Sequence, residues 1–159
     1  MAIEYAIITW IHLIAASIWL GGSIFIGVVM APILKEIFDS QKRLQIMIKI
    51  GKRFNKIAMP AFVILIITGI YKAHPFLTAP DIMFTTNYGY LLLIKIILVV
   101  LLALSFIIHI KMINNELLLS KQNDLQIQNL RKKIVNLGKL ILFISVIIFF
   151  IASLLDEGL

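Results

Sequence analysis

YGYLLLIKIILVVLLALSFIIHI, residues 88–110, carries one formally charged side chain, Lys95. The stretch exceeds the roughly 20 apolar residues that a helix needs to cross a bilayer. It has no polar face to turn toward water. It is also too long and too continuous for a barrel strand, which alternates over about 10 residues. Inside lipid a backbone must satisfy its own hydrogen bonds, so the segment is read as a membrane-spanning α-helix.

Three other stretches follow the same logic. The first lies between Glu4 and Lys35, the second between Lys56 and Lys72, and the last between Gly138 and Leu155, ahead of Asp156 and Glu157. The second is short unless Lys72 snorkels to the interface. The expected fold is all-α, an integral membrane four-helix bundle in one domain spanning residues 1–159. The helices are expected at about 4–34, 57–74, 88–112 and 137–155.

Composition agrees. Hydrophobic residues make up 61% of the chain and charged residues 14%. So small a domain cannot hide that much apolar surface, and the excess must face lipid. With no cysteine, disulfides, thiolate metal sites and cysteine nucleophiles are excluded. The net charge of +7 sits in loops, which argues for membrane orientation rather than a nucleic-acid partner. Met1-Ala2-Ile3-Glu4 lacks a basic signal-peptide start, so the first span is expected to be retained.

The loop between the first two spans carries Lys35, Lys42, Arg43, Lys49, Lys52, Arg53 and Lys56, and that between the last two carries Lys111, Lys121, Arg131, Lys132, Lys133 and Lys139. Basic loops stay cytoplasmic, so both termini are expected on the non-cytoplasmic side of the cell membrane. Leu117, Leu125, Leu130, Ile134 and Leu137 punctuate the polar stretch 114–136. It reads as an extension of the third helix and an amphipathic cytoplasmic lead-in to the fourth. Small residues at Ser17/Gly21, Ser23/Gly27 and Gly138/Ser145/Ala152 suit close helix packing.

Ionisable groups at membrane depth tend to face the bundle interior. His12 and Lys95 should lie level, on the order of 10–12 Å below the outer end at about 1.5 Å per residue. At roughly 100° per residue, His12, Ala16, Trp19, Ser23 and Met30 share one face of the first helix. Lys95, Leu102, Phe106 and His109 share one face of the third. A second level near the cytoplasm gathers Met30, Met59, His109 and Met112. Thioether and imidazole ligands suit Cu(I), and imidazoles in a bundle core also suit haem iron. His12 and Lys95 together could hold an anionic group, such as a haem propionate or a substrate carboxylate.

At these residues the sequence resembles the copper-resistance D (CopD) membrane family. The likeness rests on Trp10-Ile11-His12 followed by Trp19-Leu20-Gly21-Gly22, on Lys52-Arg53-Phe54-Asn55-Lys56-Ile57-Ala58, and on Tyr88-Gly89-Tyr90-Leu91-Leu92-Leu93-Ile94-Lys95. Longer family members have about eight spans and often a soluble copper-binding domain. The resemblance implies copper passage across the membrane or delivery at it; on the reading of the residues themselves, the expected metal ligands are His12 at the outer level and His109 with Met30, Met59 or Met112 at the inner level. The chain is also similar to the four-helix HemJ-type protoporphyrinogen oxidases. These share a histidine in the first helix, a lysine in the third and a histidine near its end, matched by His12, Lys95 and His109, with Arg131 and Asn136 matching a later pair. Leu137-Gly138 stands where that family has an acidic residue and a proline. This second likeness implies haem b, with His12 or His109 axial and Lys95 near a propionate. A third expectation is a non-catalytic assembly subunit. The expected partners are the lipid bilayer, a second copy of the chain or other membrane subunits.

Because the chain has no cysteine, orientation can be tested with single introduced thiols. A membrane-impermeant maleimide on intact cells should label Glu157→Cys and leave Gln41→Cys unlabelled until lysis. The opposite pattern would invert the orientation.

Overall fold

Once water is absent, each apolar run can satisfy its backbone only within itself, and long helices result. The computed structural model describes residues 2–78, 80–119 and 124–157. α1 (Ala2–Ile24) runs through a π-helical segment (Phe25–Met30) into α2 (Ala31–Ile37), with Pro32, which has no N–H to give the continuing ladder, just after the wider turn. After a break at Phe38 and Asp39 come α3 (Ser40–Leu77), the short α4 (Pro80–Thr85), α5 (Asn87–Leu119) and α6 (Asp124–Asp156). Four of these rods are long and apolar enough to cross a membrane. The chain is an all-α membrane four-helix bundle.

The helices outrun the expected spans. α3 absorbs the basic segment expected as a loop, and begins at Ser40 rather than near residue 57. Asp39 starts it, accepting hydrogen bonds from the backbone N–H groups of Gln41 and Lys42, both at 2.9 Å. Leu44 and Ile48 are buried at helical spacing while Lys42 and Lys49 face outward, so residues 40–56 form an amphipathic helix. α5 likewise continues to Leu119 and α6 starts at Asp124, in keeping with the amphipathic extension read from residues 114–136. Residues 120–123 lie outside the described residues. At about 1.5 Å per residue, α3, α5 and α6 are roughly 50–57 Å long, against a hydrocarbon core of about 30 Å. The surplus projects at the end rich in Lys and Arg, called here the basic end. The first residues of α1 and the last of α6 lie at the opposite, terminal end.

α1 packs mainly on α3 and α5 mainly on α6, and α6 closes the bundle against α3 and α1. Three buried clusters stack along the axis. Leu92, Ile151 and Leu155 lie at the terminal end with Phe76 and Tyr88 beside them. Trp19, Ala58, Phe62, Leu102, Phe106 and Ile141 form the middle. Ile48, Ile113 and Ile134 form the basic end, with Met112 and Leu130 against them. Large apolar side chains such as Ile107, Ile108, Phe143 and Phe150 stay exposed on the outside, as a lipid-facing surface requires.

Close approach depends on some of the small residues and not on others. A Cβ on Gly22 would run into the Phe54 ring at Cε2, and one on Gly27 would sit 2.9 Å from Leu142 Cδ2. A Cβ on Gly21 would meet nothing within 4 Å, and Ser17 is exposed, so the Ser17/Gly21 pair is no packing face. At the basic end Arg131 Nε donates to Glu116 Oε1 at 2.7 Å, with side chains 9% and 7% exposed. This pair joins α5 to α6 across their connection.

Gly22→Ala should lower stability by about 1–3 kcal/mol, because the Phe54 ring must move, while Gly21→Ala should be near neutral. Thermal unfolding in detergent reads both. Glu116→Gln leaves a buried guanidinium without its counter-charge and should cost about 3–5 kcal/mol. The double variant Glu116→Leu/Arg131→Leu should recover most of that loss.

Candidate functional site

Trp19 fixes the interior. Its ring centroid lies 4.6 Å from that of Phe62 on α3 and 4.8 Å from that of Phe106 on α5, the latter edge-on. Its Nε1–H donates to Ser145 Oγ on α6 at 2.9 Å, and Ser145 passes its own hydrogen to the Ile141 carbonyl at 2.8 Å. The aromatic cluster divides the interior into two levels. Along α1 the order is His12, Trp19, Ser23; along α3 it is Thr68, Phe62, Phe54; along α5 it is Lys95, Phe106, His109. At about 1.5 Å per residue the two histidine levels are roughly 15–20 Å apart.

On the basic side of Trp19 the helices leave a cavity of about 120 Å³. All four spans line it, through Ser23 and Gly27, Met47 and Asn55, His109, and Gly138 among others. Glycines make the room. A Cβ on Gly51 would meet only open space, and one on Gly138 would lie 3.5 Å from His109 Nε2. The Nδ1 of His109 is buried with no hydrogen-bond partner among the described residues. An orphaned polar atom costs about 1–3 kcal/mol and marks a place where a ligand or water belongs.

The methionines part company here. Met47 on α3 lines the cavity beside His109, though it had not been singled out from sequence. Met112 packs on the Ile48–Ile113–Ile134 cluster beyond it. Met59 is 54% exposed on the outside of α3 and does not line the cavity. Met30 is half-buried and also off the lining. The π-helical segment is the reason: a wider turn replaces the α-helical advance from Phe25 on. Gly27 and Ala31 then continue the face of Trp19 and Ser23, and Met30 turns off it. The expected inner set of Met30, Met59, His109 and Met112 is therefore not gathered in one place.

On the terminal side, His12 is half-buried, and its Nδ1 lies 2.6 Å from Thr68 Oγ1. Lys72 and Lys95 are near enough to act on the ring electrostatically. Asp156 of α6 acts in turn on Lys95. Lys72 Nζ also sits 5.8 Å above the ring centre of Tyr5. One turn from His12, Thr9 Oγ1 is buried with no hydrogen-bond partner. His12 and Lys95 are thus brought to one level, and His109 to the other.

Among the described residues, no group of three or more His, Asp or Glu side chains could jointly hold a metal ion. The polar and soft groups on the cavity lining are the His109 imidazole, the Met47 thioether, the Ser23 hydroxyl, the Asn55 amide and the Lys139 ammonium, of which the imidazole and the thioether are the ligand types suited to a soft monovalent ion.

No curated protein and no solved structure matches the chain. A family model does: residues 48–155, which hold Met47's neighbour Ile48, all of α5, the cavity histidine and most of α6, match copper resistance protein D. The match covers well over half of the chain, which belongs to the copper resistance protein D family.

Proposed function

We propose that this protein passes copper, as Cu(I), across the cell membrane or hands it over there, with copper as cargo and not as a resident cofactor. The observation that carries the reading is that His109, whose Nδ1 is buried without a hydrogen-bond partner among the described residues, lines a small cavity that Met47 also lines. Family membership supplies the metal. Neutral imidazole and thioether are the protein ligands that favour Cu(I) over hard cations. Two protein ligands hold an ion less tightly than a closed set of four would. A conducting or delivering site needs that weakness, because what binds must also leave.

In this reading His12 receives the ion at the terminal end and His109 with Met47 holds it at the basic end. The other expected ligands take lesser places: Met112 lies just beyond the cavity, Met30 is turned aside, and Met59 faces lipid. Between the levels Trp19, Phe62 and Phe106 pack at centroid distances of 4.6–5.4 Å, which leaves no room for an ion between the rings. Transfer therefore requires those rings to part, and the packed arrangement is the closed state. Lys72 and Lys95 oppose a bare cation at the outer level. Copper would arrive there with an anionic ligand that these lysines attract and that it leaves behind.

Cu(I) titration of the purified protein against a competing chelator tests this. His109→Ala and Met47→Ala should each weaken the basic-end site by tenfold or more. Gly138→Val, which grows side chain toward His109 Nε2 from 3.5 Å away, should abolish binding there with the fold intact. Unchanged affinity and stoichiometry in His109→Ala would overturn the proposal.

A further inference from the structure

The Thr68 hydroxyl settles a question about His12 that sequence leaves open. Thr68 Oγ1 lies 2.6 Å from the Ile64 carbonyl oxygen and 3.3 Å from that of Leu65, one helical turn back. It also lies 2.6 Å from His12 Nδ1. A hydroxyl has one hydrogen, and a carbonyl oxygen has none to give. If that hydrogen went to Nδ1, two oxygens would face each other at 2.6 Å with nothing between them. The hydroxyl hydrogen therefore belongs to the Ile64 carbonyl, the common back-bond of a threonine inside a helix. The contact with His12 then needs its hydrogen from the imidazole.

We infer that Thr68 is a positioning residue: it accepts a hydrogen bond from His12 Nδ1–H, fixes that tautomer, and leaves the Nε2 lone pair as the basic nitrogen offered to a soft cation. A neutral imidazole carries one ring hydrogen, so fixing it on Nδ1 empties Nε2. Metal-ligating histidines are held the same way, with the far ring nitrogen donating to an oxygen that sets orientation and basicity. The cation part of the inference rests on the copper reading above; the tautomer part stands apart from it.

The experiment takes the two parts in turn. Histidine ring ¹⁵N spectra of the metal-free protein, with the His12 signals among its 3 histidines identified by their loss in His12→Gln, report where the hydrogen sits. Wild type should show His12 protonated at Nδ1 and bare at Nε2. An Nε2–H tautomer, or a doubly protonated ring, would overturn the inference whatever copper does. Thr68→Val, nearly isosteric, should release the tautomer, and Thr68→Ser should restore it. The same tautomer in Thr68→Val would remove the role of Thr68. Cu(I) titration in a His109→Ala background then isolates the terminal-end site. Thr68→Val should weaken it by about 10–100-fold, the usual effect of losing such a partner, with Thr68→Ser near wild type. The expected tautomer with no copper bound at His12 in wild type would leave the Thr68 assignment standing and defeat the copper reading of this level.

Discussion

The indole of Trp19 is the contact on which the interior depends. It belongs to α1, lies against Phe62 of α3 and Phe106 of α5, and donates a hydrogen bond to Ser145 of α6. Lipid tails are as apolar as a leucine, so burial alone gives helices little reason to associate. Ring-on-ring contact and a hydrogen bond between buried partners supply the preference that burial does not. Because one side chain makes all three contacts, the helices are locked in rotation as well as in distance. That rotation turns His12 inward on one side of the ring and opens a space beside His109 on the other.

The bundle is held in two different ways along its length. Where it crosses lipid, it relies on small residues, aromatic contacts and the Trp19–Ser145 hydrogen bond. At the basic end α3, α5 and α6 run on past the length a bilayer needs, and a segment that stands in water regains the hydrophobic effect. There Ile48, Ile113 and Ile134 form an ordinary core, with the buried Glu116–Arg131 pair at its far end. The cavity lies where the two regimes meet. Its glycines allow close approach higher up and leave unfilled volume at Gly51 and Gly138, so the polar edge of His109 has space in front of it rather than a partner.

Much of this could be read from the chain. Apolar runs longer than a bilayer is thick admit only helices, and the charges that interrupt them mark the ends. The His12 and Lys95–His109 faces followed from helical period, because those segments are regular α-helix and the angle per residue holds. The basic loop did not follow. Charge density suggested a connection, but Leu44 and Ile48 at helical spacing, with Asp39 to cap them, carry α3 through it. Nor did the methionines. Extrapolating a constant period placed Met30 inside, and the π-helical turn at Phe25–Met30 breaks that period. Met47 belonged to the segment taken for a loop and so had no face to be assigned.

Composition and period are properties of each segment alone, and they determined the membrane, the number of spans and, where a helix stays regular, the face that it turns inward. Partnership is a relation between segments distant in sequence, and it arose only from packing: Trp19 with Ser145, His12 with Thr68, Glu116 with Arg131, His109 with a void. A helix's own hydrogen bonds determine where its side chains point, but whether a polar atom meets a partner or an empty space depends on the rotation of its neighbours, which the local sequence does not encode.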